Sequence, residues 1–292
     1  MPFFSVIIPT YNRAGFISKT IESFLAQSFT DFEIVVVNDG STDNTEEILD
    51  SFKKPNIRCF TIENSERAAA RNYGAKMARG EYLNFFDSDD TPYSNHLSSA
   101  HDFVVKNKNP VIFNVGYKIV NPDGTILLQE TDFNFNFNER LIKTNFLGCN
   151  SVFVKKEIFL QNPFNESRQL ASSEDWELWL RLSARYKFIS SDEITFQMNN
   201  HESRSLFTIA PDKIVKRDTL LTELLLSDKP FTVEYREYIP MFKSERFTFF
   251  ALVYSLTKKN RNEVIRFLWK ALKTDLSVLG RRRFWACIKH FF

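Results

Sequence analysis

Two hydrophobic patterns alternate along the first part of the chain. Short apolar runs typical of buried strands occupy residues 5–9, 32–37, 57–62 and 81–86. Between these runs, apolar residues recur at the spacing of amphipathic helices over residues 16–27, 42–52 and 68–78. Thr42 or Asp43 is the expected cap of the second helix. The alternation predicts an α/β fold with a doubly wound, mostly parallel, Rossmann-like sheet.

The pattern changes in the middle of the chain. Residues 111–120 and 125–129 flank the turn sequence NPDG, so they predict a β-hairpin. The stretch DFNFNFNER alternates Phe with Asn, which is typical of a half-buried strand or an ordered loop. A helix is expected over residues 173–182, and only helical spacing follows from residue 211 onward.

Composition places the chain among globular proteins, with 43% hydrophobic and 25% charged residues. The three cysteines share no metal-ligand spacing and leave an odd number, which argues for a reducing compartment such as the cytoplasm. The first residues, MPFFSVIIPTYNR, lack a basic segment and are interpreted as a first strand rather than a signal peptide. No apolar run reaches the length of a membrane-spanning helix.

The stretch EYLNFFDSDD ends an apolar run with Asp87, Asp89 and Asp90. Carboxylates this close repel each other unless positive charge lies between them, so the pattern predicts a nearby cation. Two carboxylates separated by one residue suit Mg²⁺ or Mn²⁺, and substrate phosphates often complete such a site. For Asp90 the interpretation is different, because it can cap a following helix that Pro92 would open. Asp39 also follows a predicted strand, and ligands bind at such strand ends.

Several linked segments resemble the inverting family 2 glycosyltransferases, which have the GT-A fold. The resemblance is dense over SVIIPTYNRAGFISKTIESFLAQSF, EIVVVNDGSTDNT and ERAAARNYGAKMARGEYLNFFDSDD, and it returns at GCNSVFVKKEIF, SEDWELWLRL and NNHESRS. It implies a glycosyltransferase domain over residues 1–210. A nucleotide-sugar half would span about 1–95 and an acceptor half about 96–210, followed by a helical, basic region over 211–292.

The resemblance implies a nucleotide site and a metal site at the strand ends. The implied nucleotide-binding residues are Pro9, Thr10, Tyr11, Asp39, Arg71 and Asp87. Asp39 would accept a hydrogen bond from the base, commonly uracil, and Asp87 would face the ribose. Asp89 would hold a divalent metal, Mn²⁺ or Mg²⁺, that bridges the two phosphates. His201 resembles a residue that approaches the metal or the diphosphate in some relatives, and its alternative is a structural role.

On the acceptor side, Asp175 corresponds to the family's catalytic base, and its alternative is an acid favoured by the dipole of its own helix. Glu174 and Asn150 are assigned to the donor or acceptor sugar. A single base with a metal on the donor side fits one in-line displacement, hence inversion at the anomeric carbon. Cys149 is expected to be structural, and Trp176 and Trp179, three residues apart, are expected in the core.

The expected function is transfer of a hexosyl or N-acetylhexosaminyl group from a nucleotide-diphosphate sugar, UDP above all. The acceptor would be a hydroxyl of a glycan or lipid-linked molecule in capsule, O-antigen or lipooligosaccharide synthesis. One alternative, a nucleotidyltransferase, would require a Gly-rich phosphate loop, and PTYNRAG does not resemble one. The other is a non-catalytic nucleotide-sugar binding module, which would not need Asp175 beside Asp87 and Asp89.

Residues 258–292 contain ten Lys or Arg and two acids, a charge of +8 that leaves −6 for the rest of the chain. Apolar residues with helical spacing, starting at Val264, alternate with basic ones. Basic amphipathic helices with Trp and Phe suit an anionic membrane surface, here the inner face of the cell membrane. The alternative is a helical subdomain packed on the first domain. Nucleic acid is not an expected partner, because the acidic remainder has no binding module.

Overall fold

The computed structural model of the chain describes residues 1–52, 54–201, 210–256 and 261–291. The strands are β1 (Phe4–Thr10), β2 (Phe32–Asn38), β3 (Ile57–Thr61), β4 (Tyr82–Phe85), β5 (Thr91–Pro92), β6 (Ile112–Val120), β7 (Ile126–Glu130), β8 (Val152–Lys155) and β9 (Ile189–Asn199). Residues 202–205 of the segment NNHESRS and 258–260 of the basic tail lie outside the described residues.

The helices of the described residues surround this sheet and then continue beyond it. They are α1 (Ile17–Leu25), α2 (Thr45–Asp50), α3 (Arg67–Met77), α4 (His96–Lys106), α5 (Phe137–Lys143), α6 (Lys156–Gln161), α7 (Glu174–Ser183), α8 (Pro211–Ser227), α9 (Lys229–Glu234), α10 (Ile239–Leu256), α11 (Arg261–Thr274) and α12 (Arg282–Phe291). Short 3-10 helices span Cys149–Ser151, Arg168–Leu170 and Leu276–Gly280.

The strands form one sheet in the order β3-β2-β1-β4-β8-β6-β9-β5, with β7 paired to β6. The first four are parallel, as the alternation of strands and helices predicts. Beyond them the sheet is mixed, because β8 runs antiparallel to both β4 and β6 while β9 runs parallel to β6. The β6–β7 hairpin and the α/β fold class are confirmed.

The central strands are buried because helices cover both faces of the sheet. Every residue of β1, β2 and β4 is buried. Side chains alternate between faces along a strand. Ile7 therefore joins the core on one face, whereas Val6 and Ile8 join the core on the other. A strand that is buried on both faces requires apolar residues at consecutive positions, whereas a strand buried on one face needs only every second residue to be apolar.

Two local predictions differ from the structure. Helix α2 begins at Thr45, where the Asp43 carboxylate accepts the Thr45 N–H at 3.1 Å, so Asp43 supports the helix although Asn44 occupies the cap position. The segment DFNFNFNER enters helix α5 instead of forming a strand or loop throughout. The Asn136 side chain accepts the Glu139 N–H at 3.1 Å and caps that helix, which ends the Phe–Asn alternation.

The first C-terminal helices pack against α7. Leu221 and Leu225 of α8 lie in the same core as Trp179 of α7. The buried Arg246 of α10 lies 4.7 Å above the ring of Trp176 and 3.3 Å from the Asp218 carboxylate of α8. Packing on the first domain, one of the two alternatives, therefore holds for these helices. Among the described helices, none is both long and apolar enough to cross a membrane.

Helix α3 approaches β1 closely at Gly74, which gives a first testable prediction. A Cβ at this position would lie 2.5 Å from Ile7 Cγ2 and 3.2 Å from Val37 Cγ2. We expect Gly74→Ala to lower the free energy of unfolding by about 1–3 kcal/mol through overpacking, reduced by the better helix propensity of Ala. Urea unfolding measures the change.

Gly280→Ala is the matched control, since no atom outside the adjoining residues lies within 4 Å of its added Cβ. A Gly74→Ala protein as stable as the unchanged protein, or no less stable than Gly280→Ala, would contradict the close packing of α3 on β1.

Candidate active site

A cleft of about 620 Å³ opens at the carboxyl ends of the central strands. Strand β1 pairs Thr10 with Asn38 of β2 and Ile7 with Phe85 of β4, so the three strands end at one edge of the sheet. Most of the residues that sequence patterns assign to the site line this cleft: Pro9, Thr10, Tyr11, Asp39, Arg71, Asp87, Asp89, Glu174 and Asp175. Residues from both halves of the domain thus meet in one cavity.

The Asp39 carboxylate lies at the start of helix α3. One oxygen accepts the Ser65 N–H at 2.7 Å and the other accepts the Glu66 N–H at 3.0 Å. Burial raises the pKa of Asp39 above its ordinary value, and the two amide hydrogen bonds oppose this rise. A carboxylate oxygen has two acceptor positions, so Asp39 retains capacity to accept a further hydrogen bond from a ligand in the cleft.

The loop after β1 is fixed to the loop after β2. Asn12 has a positive φ of 50°. Its side-chain oxygen accepts the Thr42 N–H at 2.8 Å, while its own N–H donates to Ser41 Oγ at 3.0 Å. Tyr11, which precedes it, is 45% exposed at the cleft. The arrangement presents an aromatic ring on a rigid backbone, which suits stacking against a flat, partly polar ligand.

The carboxylates at the end of β4 have separate cationic partners. Asp87 Oδ1 lies 2.6 Å from a guanidinium nitrogen of Arg71. Asp89 Oδ2 lies 3.5 Å from Arg13 Nε and 3.1 Å from His201 Nε2. For Asp87, the positive charge that the sequence predicts is therefore supplied by the protein itself.

Asp90 points away from the other two carboxylates. It accepts hydrogen bonds from Asn150 Nδ2 at 2.7 Å and from the Asn199 N–H at 2.8 Å. Its predicted role as a helix cap is wrong, because a short strand follows it and the next helix begins only at His96. These bonds connect the loop to β9 and to the segment before β8.

Asn150 supports this loop from beneath. Its side chain is fully buried, and its Oδ1 accepts the Asp87 N–H at 2.9 Å while its Nδ2 donates to Asp90. Both ends of the amide are therefore engaged by the protein. Asn150 was predicted to contact a sugar, but its side chain is buried and is not among the residues that line the cleft. In the structure it positions the loop that contains Asp87 and Asp90.

Arg71 occupies the floor of the cleft and joins its two sides. The side chain is 2% exposed, and besides Asp87 it contacts Glu174 Oε1 at 2.9 Å. Its guanidinium also lies 5.4 Å from the ring centre of Phe164. Burial disfavours the charge of Arg71, but the carboxylates around it outweigh burial and raise its pKa above the ordinary value. Glu174 is a buried anionic partner of this arginine and also lines the cleft, so its predicted contact with a sugar stays a prediction.

Asp175 lies in the first turn of α7, beside the Arg71–Glu174 pair. Its Oδ1 accepts the Trp176 N–H at 2.7 Å. Burial and the neighbouring Glu174 carboxylate raise the pKa of Asp175 to about 6, against the opposing effect of Arg71. A carboxylate with a pKa near 6 is ionised at neutral pH and binds a proton more readily than an ordinary aspartate. The group is chemically suited to act as a base.

Asp89 and His201 provide two donors that fit a divalent cation. Among the described residues, no group of three or more His, Cys, Asp or Glu side chains is arranged to hold a metal. The Asp89 Oδ2 and His201 Nε2 atoms are 3.1 Å apart. A carboxylate oxygen and an imidazole nitrogen are donor types that a divalent ion such as Mn²⁺ accepts, so these two residues would hold it. Phosphate and water oxygens would have to supply the remaining ligands.

The cleft also contains basic residues that sequence analysis missed. Arg13 lines it beside Asp89, and Arg67 lines it with its Nε 3.9 Å from Glu174 Oε1. Arg13 belongs to the segment PTYNRAG and Arg67 to the segment ERAAAR. Both segments resemble the family, so this resemblance could have indicated the two arginines. The expected structural residues are confirmed. Burial keeps Cys149 a neutral thiol by raising its pKa, and Trp176 and Trp179 are buried with their indole N–H groups bonded to backbone carbonyls.

Comparison with known proteins agrees with this fold. The chain is similar over its whole length to the S. aureus TarS fragment 1–349, solved in complex with UDP-GlcNAc. The TM-score is 0.75 with 23% identity, and 88% of that fragment is covered. This likeness shows the GT-A fold. The sequence profile described as glycosyl transferase family 2 matches residues 5–160, so the chain belongs to glycosyltransferase family 2.

Several relatives in sequence are longer than this chain. An uncharacterized glycosyltransferase of Rickettsia bellii is 33% identical over 70% of the chain. The putative teichuronic acid biosynthesis glycosyltransferase TuaG of Bacillus subtilis is 32% identical over 62% of the chain and 72% of its own length. Chondroitin synthase of Pasteurella multocida is 25% identical over 85% of the chain. The chain spans between 26% and 39% of the length of the first relatives.

Removing Arg71 tests the electrostatic floor of the cleft. We expect Arg71→Met to lower the free energy of unfolding by about 3 kcal/mol, because it removes the nearer cation of the buried Glu174 and leaves the half-exposed Arg67 at 3.9 Å. Adding Glu174→Gln should restore part of this loss, since the poorly compensated charge is then gone. Urea unfolding of the single and double variants measures both effects.

Lys143→Met is the control, because it breaks an exposed pair with Glu139 that contributes about 0.5 kcal/mol or less. If Arg71→Met and Lys143→Met lower the free energy of unfolding equally, the buried Arg71–Glu174 pair contributes no more to stability than an exposed pair. A double variant less stable than Arg71→Met would contradict the charge-compensation argument.

Proposed function

We propose that the protein is an inverting, metal-dependent glycosyltransferase that moves a sugar from a nucleotide-diphosphate sugar to an acceptor hydroxyl. The observation that carries the proposal is the cleft itself. It brings Asp39 and Asp89, at the ends of parallel strands, together with Asp175, a carboxylate of raised pKa on the opposite half of the domain. A module that only bound nucleotide would not need the last of these groups, and family membership favours glycosyl over nucleotidyl transfer.

UDP is the nucleotide we assign to the donor. Asp39 has acceptor capacity suited to the imide N–H of uracil, and Tyr11 offers a ring for stacking. The half-buried carboxylate of Asp87, fixed by Arg71, is suited to accept hydrogen bonds from ribose hydroxyls. The TarS fragment was solved with UDP-GlcNAc and with UDP, which makes an N-acetylhexosaminyl or hexosyl donor the first choice.

Asp89 and His201 are the side chains we assign to a divalent metal, Mn²⁺ or Mg²⁺. The mixed oxygen and nitrogen donor pair favours Mn²⁺, because Mg²⁺ prefers oxygen ligands only. When bound, the metal would supply Lewis-acid stabilisation of the charge that develops on the departing diphosphate. Arg13, beside Asp89, provides a further cation at the same end of the cleft.

Asp175 is the residue we assign to proton removal. Its carboxylate takes the proton of the acceptor hydroxyl as that oxygen forms a bond to the anomeric carbon. The bond between the anomeric carbon and the diphosphate oxygen breaks, and the electron pair leaves with the nucleoside diphosphate. Attack opposite the leaving group inverts the configuration at the anomeric carbon. Glu174, held by Arg71, positions the first turn of α7 during this step.

The acceptor we propose is a hydroxyl of a growing glycan, free or lipid-linked, in bacterial surface polysaccharide synthesis. The support comes from relatives: the Bacillus subtilis protein is named for teichuronic acid biosynthesis and the Pasteurella multocida protein is a chondroitin synthase. The cytoplasm, where nucleotide sugars are made, is the corresponding location for the cleft.

Nucleotide binding tests the donor and metal assignments directly. We expect UDP to bind in a titration calorimeter with Mn²⁺ present, and Asp89→Ala to weaken this binding by at least about tenfold because a metal ligand is lost. Asp175→Asn should leave UDP affinity unchanged, since this side chain contacts the acceptor.

Asp102→Ala, which removes an aspartate that is 85% exposed on α4, is the matched control and should bind UDP normally. Failure of UDP, GDP, dTDP and CDP alike to bind in the presence of metal would exclude the donor site. Metal-independent binding that Asp89→Ala does not affect would exclude Asp89 as a ligand.

The pH dependence of turnover tests the base. Below pH 6 the Asp175 carboxylate becomes protonated and cannot accept the acceptor proton, so kcat/KM should fall about tenfold for each pH unit in that range. UDP release from UDP-GlcNAc, measured with a coupled assay, provides the rate. Asp175→Asn should abolish this rate at every pH.

The pKa of Asp39 is also raised, so UDP affinity across the same pH range is the necessary control. If UDP affinity stays constant over this pH range, the fall of kcat/KM at low pH is assigned to the chemical step. An Asp175→Asn variant that keeps the normal rate and the same acidic limb would show that another group removes the proton.

A further inference from the structure

Helices α11 and α12 both pack on α10. Val264 and Phe267 of α11 form a small core with Phe250 of α10 and Cys287 of α12. A second cluster joins Ala271, Val278 and Phe284. One side of α11 is therefore buried against α10 and α12, and its opposite side faces solvent.

That opposite side has an unusual composition for a solvent-exposed helix. Ile265 is 55% exposed, Trp269 is 59% exposed and Leu276, in the 3-10 helix that follows, is 72% exposed. Ile265, Trp269 and Lys273 are spaced four residues apart, so they lie along one line of the helix. We call the group formed by Ile265, Trp269, Lys270, Lys273 and Leu276 the α11 outer surface.

Positive charge accompanies these apolar side chains. The Lys273 Nζ lies 5.1 Å from the ring centre of Trp269. Lys273 is exposed, and Lys270 is exposed at the edge of the surface, where its Nζ lies 5.7 Å from the ring centres of Phe247 and Phe267. Arg266 pairs with Glu263. Helix α12 has the same combination, since Trp285 is exposed beside the exposed Arg282.

Other arginines near this surface are already engaged by carboxylates. Arg281 and Arg283 each bond to Glu245 of α10, at 2.5 and 2.6 Å. They therefore fix α12 to α10 rather than contribute to a binding surface. The structure thus distinguishes arginines that bond to carboxylates from lysines that are exposed. The sequence alone does not show this difference.

We propose that the α11 outer surface docks on an anionic lipid bilayer. Indole and aliphatic side chains enter the headgroup region, and the lysines beside them contact lipid phosphates. The +8 charge of residues 258–292 complements a negatively charged leaflet, whereas the rest of the chain, at −6, does not. Docking is peripheral, with the helix lying in the plane of the interface.

Two other occupants fit this surface less well. In a symmetric dimer the surface would face a second copy of itself, which would bring Lys270 and Lys273 of both copies into one interface without a carboxylate from that surface to pair with them. A nucleic acid would pair with the lysines but would leave Ile265 and Leu276 against a polar phosphate backbone. A bilayer interface satisfies both the apolar and the basic side chains.

Vesicle co-sedimentation of the full chain tests the proposal. We expect binding to vesicles that contain phosphatidylglycerol and little binding to vesicles of phosphatidylcholine alone. Raising the salt concentration should weaken binding, because the lysine contacts are screened. The experiment needs neither donor nor acceptor, so its outcome is independent of the proposed glycosyl transfer.

Variants locate the surface. Ile265→Ala combined with Lys273→Gln should lower the partition coefficient at least about fivefold, the contribution of one lysine near an anionic surface. The matched control is Val105→Ala with Lys106→Gln, which removes an equally exposed pair from α4 and should bind vesicles normally. Urea unfolding of both variants confirms that they are folded.

A spectroscopic readout distinguishes insertion from charge attraction. In a Trp285→Phe background, brominated lipid in phosphatidylglycerol vesicles should quench Trp269, while the buried Trp176 and Trp179 remain unquenched. Three outcomes would overturn the proposal: no sedimentation with either vesicle, equal loss of binding in the α11 and α4 variants, or vesicle-free dimerisation that Trp269→Ala abolishes.

Discussion

The buried guanidinium of Arg71 holds the two sides of the cleft together. It contacts Asp87 at the end of β4 and Glu174 at the start of α7, so one cation links the edge of the sheet to this helix. Arg71 is buried, and Phe164 lies against its plane. Yet the three arginines that line the cleft face six carboxylates, so the cleft keeps an excess of negative charge. A diphosphate therefore suits this cleft only when it arrives with positive charge.

The acidic end of β4 shows how closely spaced carboxylates are accommodated. Asp87 bonds to an arginine, Asp90 bonds to amide groups, and Asp89 lies beside a histidine and a more distant arginine. Neutral amides hold Asp90 without adding charge, which leaves the local potential negative. Asn150 is the centre of this arrangement, since it fixes the backbone at Asp87 and the side chain of Asp90 at once.

The sequence predicts those features that depend on neighbouring residues. Apolar runs located the parallel strands, and the position of Asp39 and Asp87 after those runs located the cleft. Long-range pairs were not predictable in this way. Arg71 and Glu174 are 103 positions apart, and Asn150 reaches Asp90 across 60. Helix α5 was missed because its cap, Asn136, lies within an alternating Phe–Asn pattern that imitates a strand.

The contact between Arg246 and Trp176 has a consequence for how such proteins diversify. Trp176 follows Asp175 directly, and its ring is covered by a guanidinium that belongs to α10. Leu221, Leu225 and Phe242 of the C-terminal helices also share a core with α7. A recombination event that exchanged the C-terminal helices between relatives would leave the outer face of α7 against a foreign surface. These helices and α7 should therefore be inherited together, and substitutions in one should be matched by substitutions in the other.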